Sequence, residues 1–169
     1  MASLYKMPIS NLNGIGKKRA ELFAKLGITS VGSLLNFYPR AYEDWSTVEK
    51  ISDLQYGSLC CIKAVLATPI SDSLISGGRI ISKGMVYDDS GSLQIVFFNN
   101  RYISSMLKGG EEYFFYGRIT VDSYGAQMIS PTFSLASDGA KIHPVYRQTA
   151  GLVSKTISNA VKQALSLLP

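Results

Sequence analysis

The run Val96-Phe97-Phe98-Asn99-Asn100-Arg101-Tyr102 sets aromatic rings, two amides and one cation side by side. Leu93, Ile95 and Phe97 alternate with Gln94, Val96 and Phe98, and in a strand such alternation sends the two sets to opposite faces. Phe97 is therefore expected in the core, and Phe98 outside with Gln94. An exposed aromatic followed at once by Asn99, Asn100, Arg101 and Tyr102 can stack on bases and neutralise phosphate together. The same pattern also fits aromatics covered by another segment of the chain. On local pattern the two readings stand level.

Other chemistry has less to work with. His143 is the only histidine, and Cys60 and Cys61 are adjacent in an apolar run, so no histidine-dependent nucleophile and base pair offers itself. As strand neighbours the two cysteines should face opposite ways and behave as small buried hydrophobes. No phosphate-binding Gly-Lys-Ser/Thr loop, zinc-binding His-Glu-x-x-His pair or calcium loop occurs. Asp88 and Asp89, next to Ser90-Gly91, read as turn residues rather than metal ligands, and His143 before a proline as a linker or surface residue. The chain by itself is expected not to be an enzyme and to carry no metal.

At 169 residues, 46% hydrophobic and 17% charged, the chain is long enough for one good core with a small appended unit. No apolar run approaches a membrane span and the first residues lack a signal-peptide pattern, so the expected location is cytoplasmic, with no membrane partner. The net charge is +5, unevenly spread: residues 1–50 hold 7 basic and 4 acidic residues (+3), 51–140 hold 6 and 8 (−2), and 141–169 hold 4 and none (+4). A polyanion binding the middle segment would need a local cluster such as Arg79, Lys83, Arg101, Lys108 and Arg118, with the flanks adding long-range attraction.

Residues 1–50 read as helical. Leu12-Asn13-Gly14-Ile15-Gly16 supplies a tight turn, and Ala20, Leu22, Phe23, Leu26 and Ile28 recur at roughly helical spacing around a stop at Gly27. A short helix is expected from Ser30 to Phe37, before Pro39. The Gly-Ile-Gly turn followed by Lys17, Lys18 and Arg19 is similar to a helix-hairpin-helix, whose turn amides approach a backbone phosphate; a packing turn needing close approach is the alternative. From Gly57 the period becomes two, which predicts strands over 58–68, 79–87, 92–98, 113–121 and 125–133. Turns are expected at Ser76-Gly77-Gly78, Asp88-Asp89-Ser90-Gly91 and Asp122-Ser123-Tyr124-Gly125. A helix over 101–107, capped by Asn99 or Asn100 and stopped by Gly109-Gly110, falls between the third and fourth strands. That order predicts a mainly β, α+β fold: a five-stranded OB-fold barrel over 51–140, after an N-terminal helical hairpin over 1–50. The last segment, 141–169, reads as a linker and helix whose stripe of Leu152, Ile157, Val161, Ala164, Leu165 and Leu168 needs a cover. That cover is either the N-terminal helices or a further part of a longer protein.

Several segments in order resemble the N-terminal wedge region of the bacterial ATP-dependent DNA helicase family RecG. They are Leu12-Asn13-Gly14-Ile15-Gly16-Lys17-Lys18-Arg19-Ala20-Glu21-Leu22, Leu34-Leu35-Asn36-Phe37-Tyr38-Pro39-Arg40-Ala41-Tyr42-Glu43-Asp44, Phe97 to Tyr102, His143-Pro144-Val145-Tyr146 and Gly151-Leu152-Val153-Ser154-Lys155-Thr156. The resemblance implies an OB-fold at the crotch of branched DNA, with a separate ATP-driven motor beyond this sequence. ATP and Mg²⁺ would be cofactors of that motor alone. It also implies that Phe98 and Tyr102 match an aromatic pair stacking on junction bases, with Asn99, Asn100 and Arg101 as sugar or phosphate contacts. Branched and single-stranded DNA are then the expected partners; the local basic cluster adds Lys83 and Arg79, and the Gly-Ile-Gly turn adds Lys17 and Lys18, as further DNA contacts. The rival reading is a protein-interaction module whose groove receives a peptide tail, such as that of single-stranded-DNA-binding protein.

Overall fold

A computed structural model describes residues 2–168 except 76, 124 and 140, and the side chains from Leu4 onward. Ser76 and Tyr124, named in two expected turns, lie outside the described residues. The strands are β1 (Ala41–Asp44), β2 (Val48–Glu49), β3 (Leu59–Leu66), β4 (Ser71–Ile75), β5 (Arg79–Tyr87), β6 (Ser92–Phe98), β7 (Glu112–Asp122), β8 (Gly125–Ile129), β9 (Thr132–Leu135) and β10 (Ile142–Val145). The helices are α1 (Ala2–Tyr5), α2 (Lys17–Ala24), α3 (Val31–Leu35), α4 (Ile103–Met106) and α5 (Ser154–Ser166). They form two compact units, residues 1–43 with 143–169, and residues 44–142.

The larger unit is the OB-fold. β3 pairs antiparallel with β5, β5 with β6, and β7 with both β8 and β3, while β6 runs parallel to β8, so the pairings return to their starting strand. Alternation explains its interior: Cys60, Ile62, Ala64 and Leu66 of β3 meet Leu93, Ile95 and Phe97 of β6 and Tyr113 and Phe115 of β7 in one buried cluster. Ile103 and Leu107, both buried, bring the α4 segment into that core. The Tyr113 hydroxyl fixes the return from α4 to β7, accepting the Lys108 N–H at 2.9 Å and donating to Glu111 at 2.8 Å.

Where expected elements differ, pairing partners supply the reason. The strand expected over 125–133 runs alongside β7 but bulges: Met128 opposes Ile119 and Thr132 opposes Tyr116, one residue out of step. Ser130 takes the left-handed conformation at φ 46° and Pro131 has no N–H to donate there. β4, absent from the expected set, forms a hairpin with β5 through five residue pairs. The expected helix over 101–107 is only one turn. Its N-cap is Tyr102, with no side-chain cap, so neither Asn99 nor Asn100 fills that role. Asp88 does organise its turn, accepting from Ser90, Gly91 and the backbone of Ile51. Burial pushes its carboxyl up, but these hydrogen bonds outweigh burial and leave its pKa below the usual value. Its stabilisation is therefore present at neutral pH and fades as pH falls through that depressed pKa.

In the other unit the two ends of the chain share a core. Ile9, Leu12, Ile15, Phe23, Val31 and Leu34 pack with Leu152, Ile157, Ala160 and Ala164, so the N-terminal segment covers α5. The stripe differs in detail: Ala160 is buried, whereas Leu165 is 52% exposed. The Gly-Ile-Gly turn is preceded by a single 3₁₀ turn, Ile9–Asn11, rather than a full helix. Ser30 and Ser33 cap α3 reciprocally, each hydroxyl accepting the other's backbone N–H. His143 lies in β10 and is half-buried, rather than in a linker.

Gly32 in α3 sits against α1: a Cβ there would lie 2.8 Å from the Tyr5 carbonyl oxygen. Helix propensity favours Gly32→Ala by about 1 kcal/mol, but displaced backbone costs about 1–3 kcal/mol. Gly32→Ala is expected to lower the melting temperature; a rise would show that propensity outweighs packing here.

Candidate nucleic-acid interface

The barrel's two outer faces are covered unequally. On the β3 and β7 side, Trp45 is wholly buried against Cys61 and Phe114 and stacks on Tyr116 with ring centroids 5.7 Å apart. Burial pushes the Cys61 thiol up to about 12, so it packs as a hydrophobe. Cys60 points the other way into the barrel.

The opposite outer face, on β5, β6 and β8, carries exposed apolar groups. Directly paired residues share a face: Phe98 lies across from Ile81, Val96 from Lys83, and Gln94 from Met85. On the far edge Ile129 lies beside Val96 and Gln127 beside Gln94. Phe98 is 47% exposed and Phe97 only 4%, as the alternation predicted. Val96 belongs to the outer set yet is buried, because β6 has neighbours on both edges. Met85, Tyr87 and Ile129 are exposed on this face and escaped the sequence reading. The available signal was their place on the same alternating face as Lys83.

At the end of β6 the chain turns through Asn99 at φ 53°. Its backbone N–H donates to the Ile80 carbonyl at 2.8 Å, and its Oδ1 accepts the Ile80 N–H at 3.2 Å. Asn99 thus extends the ladder by one side-chain hydrogen bond, and its carbonyl is committed to the fold. Asn100 Oδ1 accepts the Tyr102 N–H at 3.1 Å, a local turn that sets where Tyr102 leaves the backbone. Tyr102 is 75% exposed; the buried Ile103 and Leu107, not Tyr102, supply the α4 contribution to the barrel core. Arg101 is exposed between them.

The expected basic cluster divides. Arg79 and Lys83 alternate with Ile81 on the face of Phe98. Arg118 lies on β7, its guanidinium donating to the Gly57 carbonyl. Lys108 follows α4. Lys17 and Lys18 are exposed on the first turn of α2, in the helical unit. Among the described residues no group of three or more His, Cys, Asp or Glu is placed to hold a metal, and no helix is long and apolar enough to cross a membrane.

Residues 8–168 match the family model of the RecG wedge domain. The ATP-dependent DNA helicase RecG of Escherichia coli K12 is 29% identical over 169 residues, covering 96% of this chain and 24% of that protein. RecG of Thermotoga maritima is 26% identical, covering 95% of this chain and 21% of that protein. A solved structure of RecG bound to a three-way DNA junction shares the fold, with a TM-score of 0.82 and 23% identity over 94% of this chain and 22% of that one. The chain spans about a quarter of the length of the curated relatives it matches.

The adjacent phenylalanines make a direct test of the face assignment. Phe97→Ala removes a buried ring and is expected to cost about 3–5 kcal/mol, whereas Phe98→Ala is expected to cost about 1 kcal/mol or less. Urea midpoints of the two variants check this; equal losses would overturn the assignment of Phe98 to the surface.

Proposed function

The chain belongs to the RecG wedge domain family, and from that membership we propose that it binds branched DNA as a wedge, stacking on bases where paired strands part. The observation that carries this is the uncovered outer face on which Phe98 stands beside Ile81, with exposed Tyr102 just beyond it. Phe98 and Tyr102 act as the stacking pair. Arg101, Arg79 and Lys83 neutralise backbone phosphate near them, and Lys17 and Lys18 do so from the helical unit. The role of Asn99 is to position the turn, and that of Asn100 is to hold Tyr102 while its amide nitrogen offers a donor.

Magnitudes set the limits of such a device. Stacking is worth about 1–3 kcal/mol per base, comparable with the few kcal/mol needed to unstack and unpair one base. Two aromatics can hold open a junction that has already parted. They supply no work for repeated steps, which in the full-length protein would come from ATP hydrolysis in a motor region, with Mg²⁺ bound there.

Affinity for a three-way junction, a duplex and a single strand, measured at two salt concentrations, tests the reading. Phe98→Ala and Tyr102→Ala are each expected to weaken junction binding by about 5- to 150-fold, with duplex binding nearly unchanged. Arg101→Ala is expected to weaken junction and single-strand binding alike and flatten the salt slope by about one unit. Unchanged junction affinity in both aromatic variants would overturn stacking, and binding insensitive to salt would overturn DNA as the partner in favour of a peptide.

A further inference from the structure

Folding concentrates the positive charge. The helical unit, residues 1–43 with 143–169, holds nine Lys/Arg against two Asp/Glu, a net charge of +7. The barrel unit, residues 44–142, holds eight against ten, a net charge of −2. All nine cations of the helical unit are exposed. In the barrel unit Lys50 is paired with Asp89 and Lys63 with Glu112. Long-range attraction for a polyanion therefore comes chiefly from the helical unit, while the barrel adds only local cations beside its aromatic face.

Within the helical unit a cleft of about 170 Å³ separates the Gly14 turn from α5. Its polar lining is Asn13, Arg19, Thr156, Asn159 and Gln163, with no carboxylate. Gln163 Nε2 ties its walls together by donating to the Asn13 carbonyl at 3.2 Å, and on the turn side Arg19 Nη1 donates to the Gly14 carbonyl at 2.5 Å. A guanidinium has five N–H donors, so one such bond leaves others for an oxyanion. On α5 Lys155 and Lys162 stand four residues before and three after Asn159, on the same side of the helix, and both are exposed. The cleft thus joins a cation, neutral donors and flanking lysines without an opposing acid.

We propose that this cleft takes a backbone phosphate of DNA and that the helical unit is the sequence-independent grip of the wedge. The inference rests on the DNA reading above and adds a second site to it. Nucleic acid suits the charge better than an acidic peptide does, because Lys6, Lys25, Arg40 and Arg147 of the same unit are also exposed and lie outside the lining of the cleft. Phosphates recur along a strand at intervals that can engage such a spread.

The test is binding of the 169-residue chain to a three-way junction and to plain duplex across a salt series, with melting temperatures as the folding control. Arg19→Gln is expected to flatten the slope of log affinity against log salt by about 0.9 on both DNAs, with Arg19→Lys keeping the slope. Asn159→Asp places an acid in the cleft at an exposed helix position. It is expected to weaken binding at low salt by about tenfold or more, with the loss shrinking at high salt, while Asn159→Gln, which keeps a neutral donor, loses much less. Lys50→Gln and Lys63→Gln, whose cations are already paired, should leave the slope unchanged. Wild-type affinity and slope in both Arg19→Gln and Asn159→Asp would overturn the proposal, as would a loss confined to the junction. Base stacking is tested separately, since Phe98→Ala should reduce preference for the junction over duplex without altering the slope.

Discussion

Phe97 and Phe98 are the same side chain one position apart, and what makes one core and the other surface is that β6 is paired along both edges. Seven of its residues are matched to β5 and three to β8. A slip of one residue would exchange the two rings and turn Leu93 and Ile95 out of the barrel. With β6 held in register, Asn99 meets Ile80 at the end of the ladder and the chain can turn there with its side-chain oxygen satisfied. Asn100 then sets the departure of Tyr102, and Ile103 and Leu107 enter the core. The exposed position of Tyr102 follows from the same register.

The unequal covering of the barrel is the second consequence of pairing. On the outer side of β3 and β7 the segment carrying Trp45 closes over Cys61 and Phe114 and stacks on Tyr116. The outer side of β5 and β6 has Lys83, Met85, Tyr87 and Phe98 with no such segment over it. A face of mixed aromatic, aliphatic and cationic groups is poorly suited to an interior, because burying charged groups is costly. It is well suited to bases, whose flat faces and flanking phosphates are satisfied by the same set of groups.

Charge follows a different division. Local sequence segments give basic ends around a slightly acidic middle, and folding turns those ends into one unit of net charge +7. Shape and attraction are therefore carried largely by different parts of the chain: the barrel unit presents rings, and the helical unit presents the net positive charge. Such a separation lets long-range attraction act on any DNA, while discrimination between branched and unbranched DNA is left to short-range stacking contacts.

Period and turn chemistry are local, so the sequence by itself determined the strands at 79–87 and 92–98, the Asp88 turn, the placement of a helix between the third and fourth barrel strands, and the outward direction of Phe98. Their order was enough for the OB-fold. What tertiary structure decided depends on partners distant in the chain. β1, β2 and β10, of four, two and four residues, are too short to carry a period and exist through pairing. The bulge at Ser130 reflects the need of one segment to serve β7 throughout and β6 in part. Asn99 reads as a sugar or phosphate contact until Ile80 is brought beside it and takes its side-chain oxygen. The cover of α5 could equally have come from elsewhere, because an apolar stripe records only that it must be buried and not by what. Burial and charge clustering are properties of neighbours in space, and a linear pattern contains the demand for a neighbour without its identity.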